Sequence, residues 1–241
     1  MDSRQRVLTA LNHREPDRVP LDLGGHRASG IHGIAYARLR RYLGLEERPI
    51  RIYDPIQQLA IVDEDVQDLF GVDTTQLEWE FLRDPALWRD WTLPDGTPAQ
   101  LPYWVQPERV DGEWVLRSKS GRVIGRMPPG CFFFEQSYYP FAEGADLDRI
   151  SEAMEECLWT AIPKPPGPLV AGPEGPRLLR ETAKRLRERT DRAVIATFGG
   201  QLLELGAFLY RHDNFFLLLA GNSKEAHAFL DRVLALYLPR L

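Results

Sequence analysis

Arg192-Ala-Val-Ile-Ala-Thr-Phe-Gly-Gly-Gln-Leu-Leu-Glu-Leu-Gly-Ala-Phe208 decides how the fold of this sequence is read. Ala193 to Ala196 is a short apolar run of the kind that fills a buried strand. Thr197-Phe198-Gly199-Gly200 then leads straight into an apolar helical stretch. A strand that ends on glycines and turns into a helix brings backbone amides to its carboxyl end, where α/β folds place their ligands. A tight turn without a ligand has the same spacing, so this stretch alone leaves both readings open.

Two earlier stretches repeat the pattern. Arg18-Val-Pro-Leu-Asp-Leu23 reads as a first strand entering at a proline, and it runs into the loop Gly24-Gly25-His26-Arg27-Ala28-Ser29-Gly30. Val72-Asp-Thr-Thr-Gln-Leu77 is a strand rich in β-branched residues. Helices are predicted between and around them. Ser3 caps the first, with Val7, Leu8 and Leu11 as its apolar stripe. The second sets Ile34, Leu39, Tyr42 and Leu43 against a solvated face of Arg38, Arg40 and Arg41. Asp63 caps a third that Gly71 ends, and Pro176 to Arg189 is a charged surface helix. Asp213 to Ala220 is so apolar that burial on most sides is expected, and Ser223 caps a final helix.

Strand and helix in alternation argue for a parallel sheet with right-handed crossovers. A closed (β/α)₈ TIM barrel takes eight such units and about 250 residues. Here about three βα units fill 241 residues. The expected fold is therefore a single incomplete α/β barrel domain over 1–241, of TIM-barrel type and truncated after those units. An open three-to-four-stranded α/β domain is the alternative. The length goes into an antiparallel hairpin insertion at about 84–141 and a stiff proline-rich connector at about 163–176. Pro-Asp-Gly at 94–96, Asp111-Gly112 and Ser120-Gly121 are the turn signals of the insertion. Trp88, Trp91, Trp104 and Trp114 cluster there, either covering one end of a core or forming a lid over a flat ligand.

Bulk composition narrows the function. A net charge of −5 and a pI near 5.6 exclude a nucleic-acid binder that works through a broad basic face. No uncharged apolar run is long enough for a membrane span, and the amino terminus has no signal-peptide core, so a cytoplasmic location is expected. Cys131 and Cys157 lack metal-finger spacing and read as reduced structural residues.

Arg6-Val-Leu-Thr-Ala-Leu-Asn-His13 followed by Pro16-Asp-Arg-Val-Pro20 resembles the opening of the uroporphyrinogen decarboxylase family and its cobalamin-dependent methyltransferase relatives. Thr197 to Phe208 follows the frame of that family's second signature: Phe198, Gly200, Leu205 and Phe208 match, Gly199 is a small-for-small change, and a proline and a threonine are missing. The resemblance implies a (β/α)₈ barrel whose second half lies outside this chain. In the decarboxylases, an Arg-Gln-Ala-Gly-Arg loop after the first strand pairs with substrate carboxylates. Here Gly24-Gly25-His26-Arg27-Ala28 supplies one arginine, fewer fixed cations than a polycarboxylate needs. The family also holds pyrrole nitrogens with an aspartate at the end of the second strand, and family spacing from Asp73 points to Glu80. The methyltransferase branch implies zinc bound by His and Cys ligands of the later half barrel, with a corrinoid as partner.

Strand-end position and that frame together mark Gly199, Gly200 and Gln201; His26 and Arg27 lie on a glycine loop after the first strand, His32 near a helix start, and Asp54, Gln57 and Gln58 form a polar cluster between apolar flanks. Glu80 is the candidate catalytic carboxylate. His26, Arg27, His32, Asp54, Gln57, Gln58, Gly199, Gly200 and Gln201 are the candidate substrate-binding residues, and no metal ligand is assigned. Capping and surface hydrogen bonding are the competing roles for Asp54, Gln57 and Gln58. The leading expectation is a corrinoid-dependent methyltransferase-type enzyme acting on a small molecule or a corrinoid protein, with this chain inactive alone. A tetrapyrrole decarboxylase is the second, and a non-catalytic half-barrel binding domain, stable as a monomer or homodimer, is the third.

Overall fold

The computed structural model describes residues 1–197 and 199–240. The chain opens with α1 (Ser3–Leu11), β1 (Ile31–His32), α2 (Gly33–Tyr42), β2 (Ile50–Asp54), β3 (Leu59–Ala60), α3 (Glu64–Phe70) and β4 (Thr74–Gln76). Six strands follow one another without a long helix only as far as β10: β5 (Trp88–Thr92), β6 (Pro98–Pro102), β7 (Glu108–Val110), β8 (Glu113–Arg117), β9 (Val123–Met127) and β10 (Glu135–Gln136). Then come α4 (Ile150–Met154), α5 (Leu158–Ala161), α6 (Gly175–Arg189), β11 (Ala193–Ile195), α7 (Leu203–Tyr210), α8 (His212–Gly221) and α9 (Ser223–Tyr237). The protein is mixed α/β, its sheets combine parallel and antiparallel neighbours, and no closed barrel exists among the described residues. No helix among them is long and apolar enough to cross a membrane.

The chain divides into two compact units: Met1–Val105 with Pro163–Thr197, and Gln106–Ile162 with Phe198–Leu241. The proline-rich connector thus belongs to the first unit. The hairpin insertion is shared out, β5 and β6 going to the first unit and β7 to β10 to the second.

The first unit contains two sheets. One has the order β1-β3-β2-β6-β5, with β2 and β6 parallel and its other pairs antiparallel. The other pairs β4 with β11 in parallel, Thr74 opposite Ala193 and Gln76 opposite Ile195. The stretch 18–23, expected as a strand, forms none. Pro20 has no N–H, and the segment reaches β4 through one backbone bond, from Asp73 N–H to Leu21 O at 2.8 Å. Asp22 and Thr74 meet one step further along at 2.5 Å, so the segment advances in the same direction as β4.

The residues of the opening motif are tied to one another. Arg6 makes a two-pronged pair with Asp17, at 2.6 and 2.9 Å, and reaches Asp73 Oδ1 at 2.5 Å. Arg18 holds the other oxygen of Asp73 at 2.7 Å, and the backbone N–H of Leu21 donates to it at 2.9 Å. Helix α1 is thereby pinned to the amino-terminal end of β4 by charge. Its expected apolar stripe lies outward, with Leu8 and Leu11 exposed and Arg6 buried. Asp2, one residue before the expected cap, accepts from Gln5 N–H in a capping box. Arg40 also departs from expectation: it is buried, held by Asp63 at 3.0 Å and by both oxygens of Asp65 at 2.9 Å. An arginine can leave a solvated face when two carboxylates satisfy its fork.

The second unit has an antiparallel sheet of order β10-β9-β8-β7. Asp111 and Gly112 take φ of +49° and +88° at the β7–β8 turn, the mirror-image conformation a two-residue hairpin needs. Its helical core packs Leu205, Leu209 and Tyr210 of α7 and Phe215 of α8 with Phe229, Val233 and Tyr237 of α9. Gly206 lets α7 and α8 meet, since a β-carbon there would lie 2.1 Å from the Phe215 ring. Helix α8 is not buried on most sides: Phe215 is its buried residue, while Phe216 and Leu217 are exposed. Asn222, not Ser223, caps α9 by accepting from Glu225 N–H at 3.3 Å.

Candidate functional site

The first unit gathers polar side chains at the carboxyl ends of β2, β4 and β11. Asp54, the last residue of β2, is completely buried. Its Oδ1 accepts from the N–H groups of Ile56 and Gln57 at 3.0 and 3.1 Å, which folds Pro55 to Gln58 into a turn. Its Oδ2 faces Arg27 Nε at 3.0 Å and Lys164 Nζ at 3.3 Å. Gln57 Nε2 lies 3.4 Å from the same oxygen.

Arg27 is carried by the single turn Arg27–Ser29. That turn is fixed by His26 Nδ1, which accepts from Ala28 N–H at 3.1 Å, and by the Ser29 hydroxyl, which donates to Asp22 at 2.6 Å. Although Arg27 Nε is close to Asp54, its N–H is not directed at an acceptor. Lys164 projects from the proline-rich segment with its side chain 12% exposed. Burial pushes its amine down to about 8, against the pull of Asp54 and with the help of the Arg27 charge.

Beside Asp54, Tyr53 is buried, and its hydroxyl has no hydrogen-bond partner. Burial pushes its phenol well above the usual range, and the charge of Asp54 pushes the same way. The charges of Arg27, Asp22 and Glu78 also act on that hydroxyl, which places it amid the cluster. The Tyr53 ring meets the edge of Trp79 at 4.4 Å between centroids, and the Trp79 indole N–H is a second buried group without a partner. Glu78, 3% exposed, follows β4. One of its carboxylate oxygens accepts from the backbone N–H of Thr197 at 3.1 Å and from the Thr197 hydroxyl; the other, Oε2, is buried with no donor. Buried polar groups are nearly always paired. Here Arg27 Nε, Tyr53 OH, Trp79 Nε1 and Glu78 Oε2 are orphaned in one region, two donors, one acceptor and one hydroxyl that can be either.

The structure brings Arg27, Asp54 and Gln57 together at the end of β2. His26 is exposed and His32 caps α2, its Nδ1 accepting from Ile34 N–H at 3.2 Å. Gln58 has a structural role: at φ +54° it donates to Pro55 O and accepts from Trp91 Nε1 at 3.0 Å. Buried Trp88 and Trp91 likewise belong to the core of the first unit, so there the tryptophans cover a core. Glu80 stands outside the cluster, paired with Arg83 at 2.8 Å and Arg189 at 2.6 Å. Leu77–Leu82 is a 3-10 helix, and two residues along it turn a side chain well away from the strand end, so Glu78 and not Glu80 reaches Thr197. Gly199, Gly200 and Gln201 are exposed residues of the second unit, where Gln201 N–H donates to Gly199 O at 3.0 Å. Phe198 lies outside the described residues.

Sequence reasoning missed Tyr53, Glu78, Trp79 and Lys164. Glu78 was findable as the carboxylate nearest the strand's end. Lys164 carried one signal, a lone charge among prolines in a segment read as a spacer.

The donor chemistry does not suit zinc. Burial pushes the Cys157 thiol up to about 11, and its sulfur faces the Thr160 hydroxyl at 2.9 Å, while Cys131 is exposed. Among the described residues no group of three or more His, Cys, Asp or Glu side chains is arranged to hold a metal. Compared with family models, curated proteins and solved structures, the chain matches none.

Proposed function

We propose that the first unit carries a strand-end ligand site of the uroporphyrinogen decarboxylase type, used for corrinoid-linked methyl transfer on a ligand with few carboxylates. The parallel course of the Leu21 segment, β4 and β11 supports reading them as three successive strands of a (β/α)₈ barrel. The observation that carries the choice of chemistry is the state of the cations. Arg27 and Lys164 both face one oxygen of Asp54, so the pairing leaves little positive charge to offset a polycarboxylate. What the site offers a ligand is the acceptor Glu78 Oε2 and the N–H and hydroxyl groups around it.

Titration of the chain with cobalamin, followed by tryptophan fluorescence, tests this. Saturable binding is expected, weakened about 10-fold in Glu78→Gln, the cost of one hydrogen bond to a charged group. Saturable binding of a carboxylated porphyrinogen analogue without binding of cobalamin would overturn it in favour of tetrapyrrole decarboxylation. That second reading has one observation of its own: Glu78 Oε2 is an undonated acceptor at the end of β4, where the resemblance expects a carboxylate for pyrrole N–H groups. Binding of neither ligand favours the half-barrel binding domain.

A further inference from the structure

We propose that Lys164 is an amine nucleophile that condenses with the carbonyl of a small 2-oxo acid, whose carboxylate is received by Arg27. Lys119, Lys184 and Lys224 are exposed, whereas the Lys164 side chain is enclosed beside Asp54. A lysine becomes nucleophilic near neutral pH when it is desolvated or set next to a second cation. Both conditions hold here: burial and the Arg27 charge bring its amine down to about 8, even with Asp54 opposing them. Asp54 and Arg27 also act on the neighbouring Tyr53 hydroxyl, together with Asp22 and Glu78.

The class of ligand follows from Arg27. Its Nε sits 3.0 Å from the oxygen that Lys164 also faces, yet its N–H has no acceptor. A 2-oxo acid carries a carboxylate on the carbon next to its carbonyl, so one small molecule can accept from Arg27 while its carbonyl carbon meets Nζ. The neutral amine adds to the carbonyl carbon, and the carbinolamine oxygen takes up two protons in all and leaves as water. The product is a protonated imine. Taken from the ammonium form, the step converts one cation and one carbonyl into one cation and one water, so Asp54 keeps a positive partner throughout. The site needs no oxidant or reductant for this. The inference does not depend on the corrinoid reading.

The experiment is reductive trapping. The full chain is incubated with glyoxylate and cyanoborohydride over a range of pH, and each lysine's label is followed by peptide mass mapping. At neutral pH Lys164 is expected to label on the order of 10- to 100-fold faster than Lys119, Lys184 or Lys224, the consequence of its larger neutral fraction. Its rate should level off above about pH 8, while the exposed lysines keep gaining. Propanal, which lacks the carboxylate, should show less preference for Lys164, and Lys164→Arg should lose that one label alone. Equal labelling of all the lysines, or a Lys164 rate that climbs in step with theirs, would overturn the nucleophile. Equal selectivity for propanal and glyoxylate would overturn the 2-oxo acid. The wild-type pH profile decides the matter even if the variant fails to fold.

Discussion

Asp73 shows how much one buried carboxylate can organise. It is wholly enclosed, and it receives Arg6, Arg18 and the backbone N–H of Leu21. Burial by itself would raise its carboxyl; the Leu21 N–H and the Arg18 guanidinium, with Ser3 and Arg6, outweigh that and hold it below the usual carboxylate range. Asp73→Asn leaves buried Arg6 facing a neutral amide, so a loss of about 3 kcal/mol is expected. A urea melt measures it, and an unchanged midpoint would refute the account. Arg6, Asp17 and Arg18 also belong to the opening motif, one of the two stretches on which the sequence resemblance rested. They act at the amino-terminal end of β4, whereas Glu78 lies beyond its carboxyl end. In parallel α/β folds the first end serves stability and the second carries ligands. A motif of this kind therefore reports a fold more directly than an activity.

Among the elements, local signals proved legible where short-range geometry decides. The hairpin turns at 94–96 and at Asp111-Gly112, and the helices α2, α3, α6 and α9, are where turn residues and period placed them. Which face each helix buries was not legible in the same way. The period of α8 reveals that it is apolar, but only its neighbours determine that Phe215 is covered and Leu217 is not. Gly206 is a related case, a residue whose reason lies on another helix. Gly206→Val would press its side chain onto the Phe215 ring, where even a β-carbon lies 2.1 Å away. A destabilisation of about 1–3 kcal/mol is expected, the usual cost of forced overpacking. Thermal unfolding checks it; a variant as stable as the parent would mean that α7 and α8 do not pack this closely.

For the whole molecule, charge governs the response to acid. Asp65 and Asp73 are held below the usual carboxylate range, the first chiefly by its hydrogen bonds to Arg40 and the second by those named above, and Asp213 is brought to about 2 by Arg211. A carboxylate whose folded value is depressed adds stability above its unfolded value, near 3.9, and loses it as pH falls through the folded one. Stability should therefore be flat through mildly acidic pH and decline below about pH 4, with the decline continuing towards pH 2. Urea midpoints at successive pH values test this, and a loss centred between pH 5 and 7 would point to histidines instead. The sequence by itself determined the mixed α/β class and most helices and turns, because periodicity, capping and turn preferences act over a few residues. Only the tertiary structure decided that two units form, that Glu78 rather than Glu80 meets Thr197, and that Lys164 reaches Asp54. These depend on contacts between residues about a hundred positions apart in the chain, whose partners no local pattern encodes.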